Sequence, residues 1–269
     1  METDTDSAKD AWRAFQDRWP RLKPPLRPGP DVVAAIGRAI DGHGARVLQM
    51  GVTPELTGLG DDLTAVDWSA DMIAGVWPGD TPSRRALLAD WRAMPPAAAP
   101  YTAVIGDGSL NALARADVAP VLAAVAERLT PGGRLALRCY VSPDAAEDLE
   151  ALADVALAGR EPSPHAFKWR LAMALRGASG DPDVALAAIW DAFDRLLPDR
   201  ATLARASGWS AADIGDFEPY RGNPTTFCFP TAGELRAALP ASLGHATFGP
   251  SGDYPLAERC PILVAEKLA

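Results

Sequence analysis

Four apolar runs in the first half of this 269-residue sequence each end in a glycine or an aspartate. The run Arg46-Val47-Leu48-Gln49-Met50 reaches Gly51, and Leu63-Thr64-Ala65-Val66 reaches Asp67. Arg85 to Ala89 reaches Asp90-Trp91, and Tyr101-Thr102-Ala103-Val104-Ile105 reaches Gly106-Asp107-Gly108-Ser109. Such runs predict buried parallel strands, and open parallel sheets bind ligands at the carboxyl ends of their strands. A glycine at a tip lets the backbone approach a ligand closely. A carboxylate at a tip can accept hydrogen bonds from both hydroxyls of a ribose. Asp67 follows Gly51 by sixteen residues, close to the roughly 20 of dinucleotide-binding units. Each position also has a plain reading. Gly51 can serve a tight turn and Asp67 an N-cap, a role Ser69 can also fill. Asp107-Gly108 has turn chemistry. Four such tips together are harder to assign to packing than any one alone.

The elements that must position these tips follow from the pattern around them. Ser7 to Trp19 predicts a short helix closed by Pro20, and the proline-rich arm Lys23 to Pro30 predicts an extended segment. Asp31 can cap a helix to about Asp41, with Val32, Val33, Ile36 and Ile40 on one face. A short turn over Pro54 to Leu59 follows the first strand, and Ser69 caps a helix holding Met72, Ile73 and Val76. A long helix over Val118 to Leu129 leads through Pro131-Gly132-Gly133 to a fifth strand, Arg134 to Tyr140. Asp144 to Phe217 has helical periodicity and no convincing strand. Its helices are expected at Asp144–Ala158, Ser163–Arg176, Asp181–Leu197 and near Thr202 and Ser210. Thr231 and Glu234 form a capping box, and strands near Ala246–Phe248 and Pro261–Lys267 can pair antiparallel at the sheet edge. Strand and helix alternating in this way predict an α/β fold. It is a Rossmann-like, mostly parallel seven-stranded sheet with a helical insertion.

Composition excludes several function classes. Twenty-six basic and 35 acidic side chains leave a net charge of −9, which repels a phosphate backbone and argues against nucleic-acid or membrane-surface partners. The longest stretch without a formal charge, Ala237 to Gly252, is too short and too polar for a transmembrane helix. The acidic start, Met1 to Asp6, lacks the order of a signal peptide. Cys139, Cys228 and Cys260 show no metal or redox spacing, and their odd number suits a reducing cytoplasm. No metal site is expected, and oligomeric state is not legible.

Four segments together resemble the successive motifs of class I S-adenosylmethionine-dependent methyltransferases. They are Val47-Leu48-Gln49-Met50-Gly51, Ala65-Val66-Asp67-Trp68-Ser69-Ala70-Asp71-Met72-Ile73, Tyr101 to Gly108, and Leu129-Thr130-Pro131-Gly132-Gly133-Arg134-Leu135. The ordered set covers about Arg46 to Val141, and Phe229 to Lys267 fits the family's last helix and strand pair. The resemblance implies S-adenosyl-L-methionine as cofactor and methyl transfer to an oxygen, nitrogen or carbon of a small molecule. It implies that Gly51 approaches the methionine part and Asp67 holds the ribose hydroxyls. Trp68 and Met72 flank the adenine, Asp90 faces its amino group with Trp91 beside it, and Gly106 and Asp107 lie near the sulfonium. The implied organisation has four parts. Residues 1–45 are N-terminal helices and the proline-rich arm over the cofactor site, 46–143 the cofactor-binding core, 144–220 a helical insertion or cap for substrate, and 221–269 the last helix and strand pair of the core.

The sequence departs from that pattern in the glycine-rich loop. Thr53 and Glu55 stand where the family has its second and third glycines, and Gln49 stands where it has an acid. Glu55 or the Thr53 hydroxyl can instead meet the cofactor's ammonium, and Arg27 can clamp its carboxylate, although a surface role is the plainer reading. The missing glycines weigh against a nicotinamide-dependent oxidoreductase, whose pyrophosphate needs bare backbone. The same damage keeps open a cofactor-binding protein without methyl transfer. A hydroxyl acceptor would need a base, and the candidates are His165, Tyr220 and Asp107. His165, Lys168, Trp169 and Arg170 share one predicted helix, read as a solvated face more readily than as a pocket wall.

Overall fold

The computed structural model describes residues 18–269; the helix expected from Ser7 falls almost wholly outside them. A seven-stranded sheet organises the chain. In sequence order its strands are β1 (Val47–Met50), β2 (Leu63–Asp67), β3 (Arg84–Leu88), β4 (Tyr101–Asp107), β5 (Leu129–Arg138), β8 (Leu243–Gly249) and β9 (Ile262–Lys267). Their spatial order is β3-β2-β1-β4-β5-β9-β8. The first five run parallel. β9 is antiparallel to both β5 and β8, which makes it the one reversed strand. Strand order reverses between β1 and β4, and the crevice outside that switch is where such sheets take ligands.

Every residue of β1 and β2 is buried, as expected of strands covered on both faces. On one face Val47, Leu63, Ala65, Ala103 and Ile105 pack against α1 (Pro30–Ala39) and α2 (Ala70–Gly75). On the other, Leu48, Met50, Val104, Leu135 and Leu137 pack against α3 (Arg115–Arg128) and α9 (Ala232–Ala238). The segment after β5 is helical. It holds α4 (Leu149–Leu157), α5 (Pro164–Ser179), α6 (Leu186–Leu196), α7 (Arg200–Ser207) and α8 (Ala211–Gly215). Side-chain caps start most of these helices: Ser69 for α2, Asp148 for α4, Ser163 for α5, Asp199 for α7, and reciprocal boxes of Ser210 with Asp213 and Thr231 with Glu234.

Three expectations are corrected. The arm is a turn and not an extended segment, closed by Leu26 and Arg27 amides on the Lys23 carbonyl; folding it this way buries Leu22 and Leu26 in the core. Asp31 does not cap α1. Gly29 occupies that position with Pro30 inside the first turn, and the Asp31 carboxylate accepts from the Asp253 amide instead. The helix expected from Asp181 begins only at Leu186. Pro182 disfavours helix at the residue before it, and Asp183–Ala185 forms a short strand, β6, antiparallel to β7 (Thr226–Cys228).

Candidate active site

A cleft lies along the carboxyl tips of β1, β2, β4 and β5. Met50, Gly51, Val52, Thr53, Asp67, Met72 and Trp91 line one half. Trp19, Leu26, Asp107, Gly108, Ser109, Ala112, Tyr140, Trp169 and Phe227 line the other. About 640 Å³ between these walls is free of atoms, the open solvent at the mouth included.

At the first half, Gly51 has φ +93°, a conformation that side chains other than glycine rarely adopt. A Cβ built there would stand 3.9 Å from Asp67 Oδ2 and 3.9 Å from Trp91 Cζ2. The Trp91 indole donates to the Val66 carbonyl at 2.7 Å, which holds the ring against the tips. Asp67 is 8% exposed, and burial raises its carboxyl from 3.8 to about 6 against the backbone amides that favour the anion. One of those amides is Ser69, which donates to Oδ1 at 2.8 Å; Ser69 itself accepts from Met72, so Asp67 is not the cap of α2. Gln49 donates to the Thr53 carbonyl at 2.8 Å, tying the altered loop to β1.

Several expected site residues face elsewhere. Asp90 accepts from the backbone and side chain of Arg92 and does not line the cleft. Its own 3₁₀ turn, Trp91–Ala93, folds Arg92 back over it, and this pairing holds the Asp90 carboxyl below its usual range. Trp68 is half-buried and outside the lining. Gly106 is a packing glycine, since a Cβ there would fall 2.5 Å from Ser109 Oγ and 3.0 Å from Leu137. Arg27 pairs with Glu55 at 2.6 Å and donates to the Trp19 carbonyl at 3.1 Å. Both members of that pair line a separate recess between the arm and α1, so neither is placed to meet a ligand in the cleft.

The three candidate bases are also corrected. Asp107 reaches the cleft, but its carboxylate forms a two-pronged pair with Arg138, one bond of which spans 2.9 Å; the side chains are 2% and 0% exposed. His165 is buried in the first turn of α5, where burial, aided by the Lys168 charge, pulls its imidazole from 6.5 to about 4. Tyr220 is buried beside Lys168, and burial pushes its phenol to about 12. Neither His165 nor Tyr220 lines the cleft. The α5 face read as solvated is an inner face: His165, Lys168 and Trp169 are 2%, 0% and 3% exposed. His165, Asp213 and Asp216 bring possible metal-binding atoms within 4.8 Å of one another. Cations of the chain already occupy that cluster, with Arg21 on the Asp216 carboxylate and Arg18 and Lys168 on its carbonyl.

Sequence reasoning missed Arg138. Its guanidinium donates to Asp107, to the Pro25 carbonyl at 2.7 Å and to Tyr254 Oη at 3.1 Å. Burial works against its charge, but Asp107 overrides that and keeps it protonated. Asn111 was also missed; it is fully buried and bridges the backbone of Tyr140 and Cys228. A polar residue inside an apolar strand, Arg138 in β5, is the signal that was available. The cysteines Cys139, Cys228 and Cys260 are free and buried, and burial pushes their thiols up and out of reactivity.

No protein-family model matches the chain, and no curated protein is similar to it. Solved structures are. A protein of Rhodobacter sphaeroides described as a Zn-dependent alcohol dehydrogenase matches with a TM-score of 0.57 at 15% identity over 100% of both chains. A 1,6-didemethyltoxoflavin-N1-methyltransferase of Burkholderia thailandensis matches at 0.51 and 14% identity over 100% of this chain and 92% of that one. An aminopentose methyltransferase of Micromonospora echinaspora is 24% identical, with a TM-score of 0.37, over 44% of this chain and 52% of that one. The chain thus spans about half the length of the last protein. The two full-length likenesses show the fold, a Rossmann-like, mostly parallel seven-stranded α/β sheet. Their descriptions name two different chemistries, and the likeness itself assigns neither to this chain. Among the described residues no helix is long and apolar enough to cross a membrane.

Proposed function

We propose that the chain binds S-adenosyl-L-methionine in this cleft and transfers its methyl group to a small molecule. The observation that carries this reading is the pairing of the open backbone at Gly51 with the Asp67 carboxylate on the neighbouring strand tip. A dry carboxylate whose charge is opposed by burial gains when two hydroxyls donate to it, so Asp67 suits a ribose diol. Met72 and Trp91 offer apolar surface to the adenine. The methionine end would rest against Thr53 and the Gly51 backbone, without help from Arg27 or Glu55. When bound, the cofactor supplies an electrophilic methyl carbon on a sulfonium. The protein's part is to hold that carbon and the acceptor in line and to exclude water. Residues 18–45 close one side through Trp19 and Leu26, and the 144–220 segment closes another through Trp169.

A nicotinamide cofactor fits less well. Its pyrophosphate would sit at the N-terminus of the element after β1. There Pro54 has no amide hydrogen to give, and Thr53 carries a side chain where a pyrophosphate needs bare backbone.

Calorimetric titration with S-adenosyl-L-methionine, S-adenosylhomocysteine and NAD tests the reading. Heat with the first two and none with NAD is expected. Binding of NAD alone overturns the assignment. Binding of the adenosyl compounds with no methyl transfer to a broad acceptor panel supports instead a binding protein without turnover.

A further inference from the structure

The second half of the cleft is aromatic. Trp19, Leu26, Tyr140, Trp169 and Phe227 face it, Trp19 from the 3₁₀ turn Trp19–Arg21, Leu26 from the arm, Tyr140 from just past the end of β5, Trp169 from α5 and Phe227 from β7. Trp169 is the hub: its ring lies 5.4 Å from Tyr140, 5.5 Å from Phe227 and 5.2 Å from Phe229. Polar atoms here are mostly engaged. Tyr140 Oη donates to the Pro25 carbonyl at 3.1 Å, Ser109 Oγ donates to the Met50 carbonyl at 2.7 Å, and Asp107 holds Arg138. Trp169 is different. It is 3% exposed, and its Nε1–H has no hydrogen-bond partner. A buried indole N–H normally finds an acceptor, and leaving one unmet disfavours the empty state.

We infer that the methyl acceptor is a planar amino-substituted nitrogen heterocycle that lies against these rings, its ring nitrogen accepting from Trp169 Nε1–H and its amine taking the methyl group. This rests on the reading above and adds the substrate class. Flat rings gain most from offset and edge contacts with the indole and phenol walls. An acceptor that is nucleophilic when neutral also suits a wall with no free base, since Asp107 is held by Arg138. The lone pair of the acceptor's amine, not that of the ring nitrogen held by Trp169, forms the new N–C bond while the carbon–sulfur bond breaks. Sulfur keeps that electron pair and becomes a neutral thioether, and the methylated nitrogen releases any surplus proton to water.

The test uses three probes of matched size: an aminoquinoline, the corresponding naphthylamine, which lacks the ring nitrogen, and the fully saturated aminodecahydroquinoline. Each is titrated by calorimetry into the full chain, with and without S-adenosylhomocysteine. The aminoquinoline is expected to bind about tenfold more tightly than the naphthylamine, the scale of one hydrogen bond, and both more tightly than the saturated amine. Trp169→Phe is expected to remove the advantage of the ring nitrogen, so that the aminoquinoline and the naphthylamine bind alike. Binding of the saturated amine as tight as that of the aromatic ones overturns the substrate class. Aromatic preference without a ring-nitrogen advantage in the unaltered chain overturns the role of Trp169, and that comparison needs no variant to fold. Failure of S-adenosylhomocysteine to bind counts against the proposed cofactor alone, because the probe titrations without it still report on the aromatic half.

Discussion

Gly51 leaves open the space before Asp67 at the β1–β2 tips: one added carbon at position 51 would lie 3.9 Å from Asp67 Oδ2, in ordinary contact with it. The space in front of the carboxylate exists because residue 51 has no side chain. Gly51→Ala is therefore expected to abolish binding of S-adenosyl-L-methionine in a calorimetric titration. Its φ of +93° adds a folding penalty of about 1 kcal/mol or more, readable by urea denaturation.

Asp67→Asn is expected to trade affinity for stability. Loss of the charged acceptor should weaken the cofactor by about 1–3 kcal/mol. The free protein moves the other way. The Asp67 carboxyl is raised from 3.8 to about 6, so its ionisation disfavours the folded state, and that penalty sets in as pH rises from about 4 to about 6. The variant should be more stable than the parent at pH 7, by up to about 3 kcal/mol. Below pH 4 the two should converge. Parallel stability curves across that window would argue against a strained carboxylate.

The Asp107–Arg138 pair supports the arm more than the chemistry. Arg138→Met leaves a buried carboxylate without its partner, and Asp107→Asn leaves a buried guanidinium with neutral acceptors only. Each should destabilise by about 3–5 kcal/mol, while replacing both by apolar residues should cost less than either alone. A double-mutant cycle measured by denaturation decides this.

Lys168 is wholly buried between Phe217 and Tyr220, and burial lowers its amine from 10.5 to about 7. The folded state thus binds fewer protons than the unfolded chain between about pH 7 and pH 10.5, and stability should rise across that window. Lys168→Met removes the penalty. Its advantage over the parent should be a few kcal/mol at pH 7 and shrink toward zero near pH 10.5. A constant advantage would mean that the amine is not the source.

The position of Gly51 and Asp67 at neighbouring strand tips was legible because a strand tip is a local feature. An apolar run ends, a small or acidic residue follows, and a parallel sheet opens a crevice there. Ser69, Thr231 and Glu234 were legible for the same reason, since caps act within one turn. The aromatic half of the cleft was not. Trp19, Tyr140, Trp169 and Phe227 come from four elements that only tertiary packing brings together, and nothing local separates a wall from a core residue. Arg27, Glu55 and Asp90 show the converse limit. Each had suitable chemistry at a suitable position, and each found a partner within the chain first.

Trp19, Trp91 and Trp169 all border the cleft, so the protein carries its own optical reporters of occupancy. A ligand that settles there replaces water against those indoles, and tryptophan emission should shift as S-adenosylhomocysteine is added. Emission unaltered at saturating ligand would place the compound elsewhere on the protein.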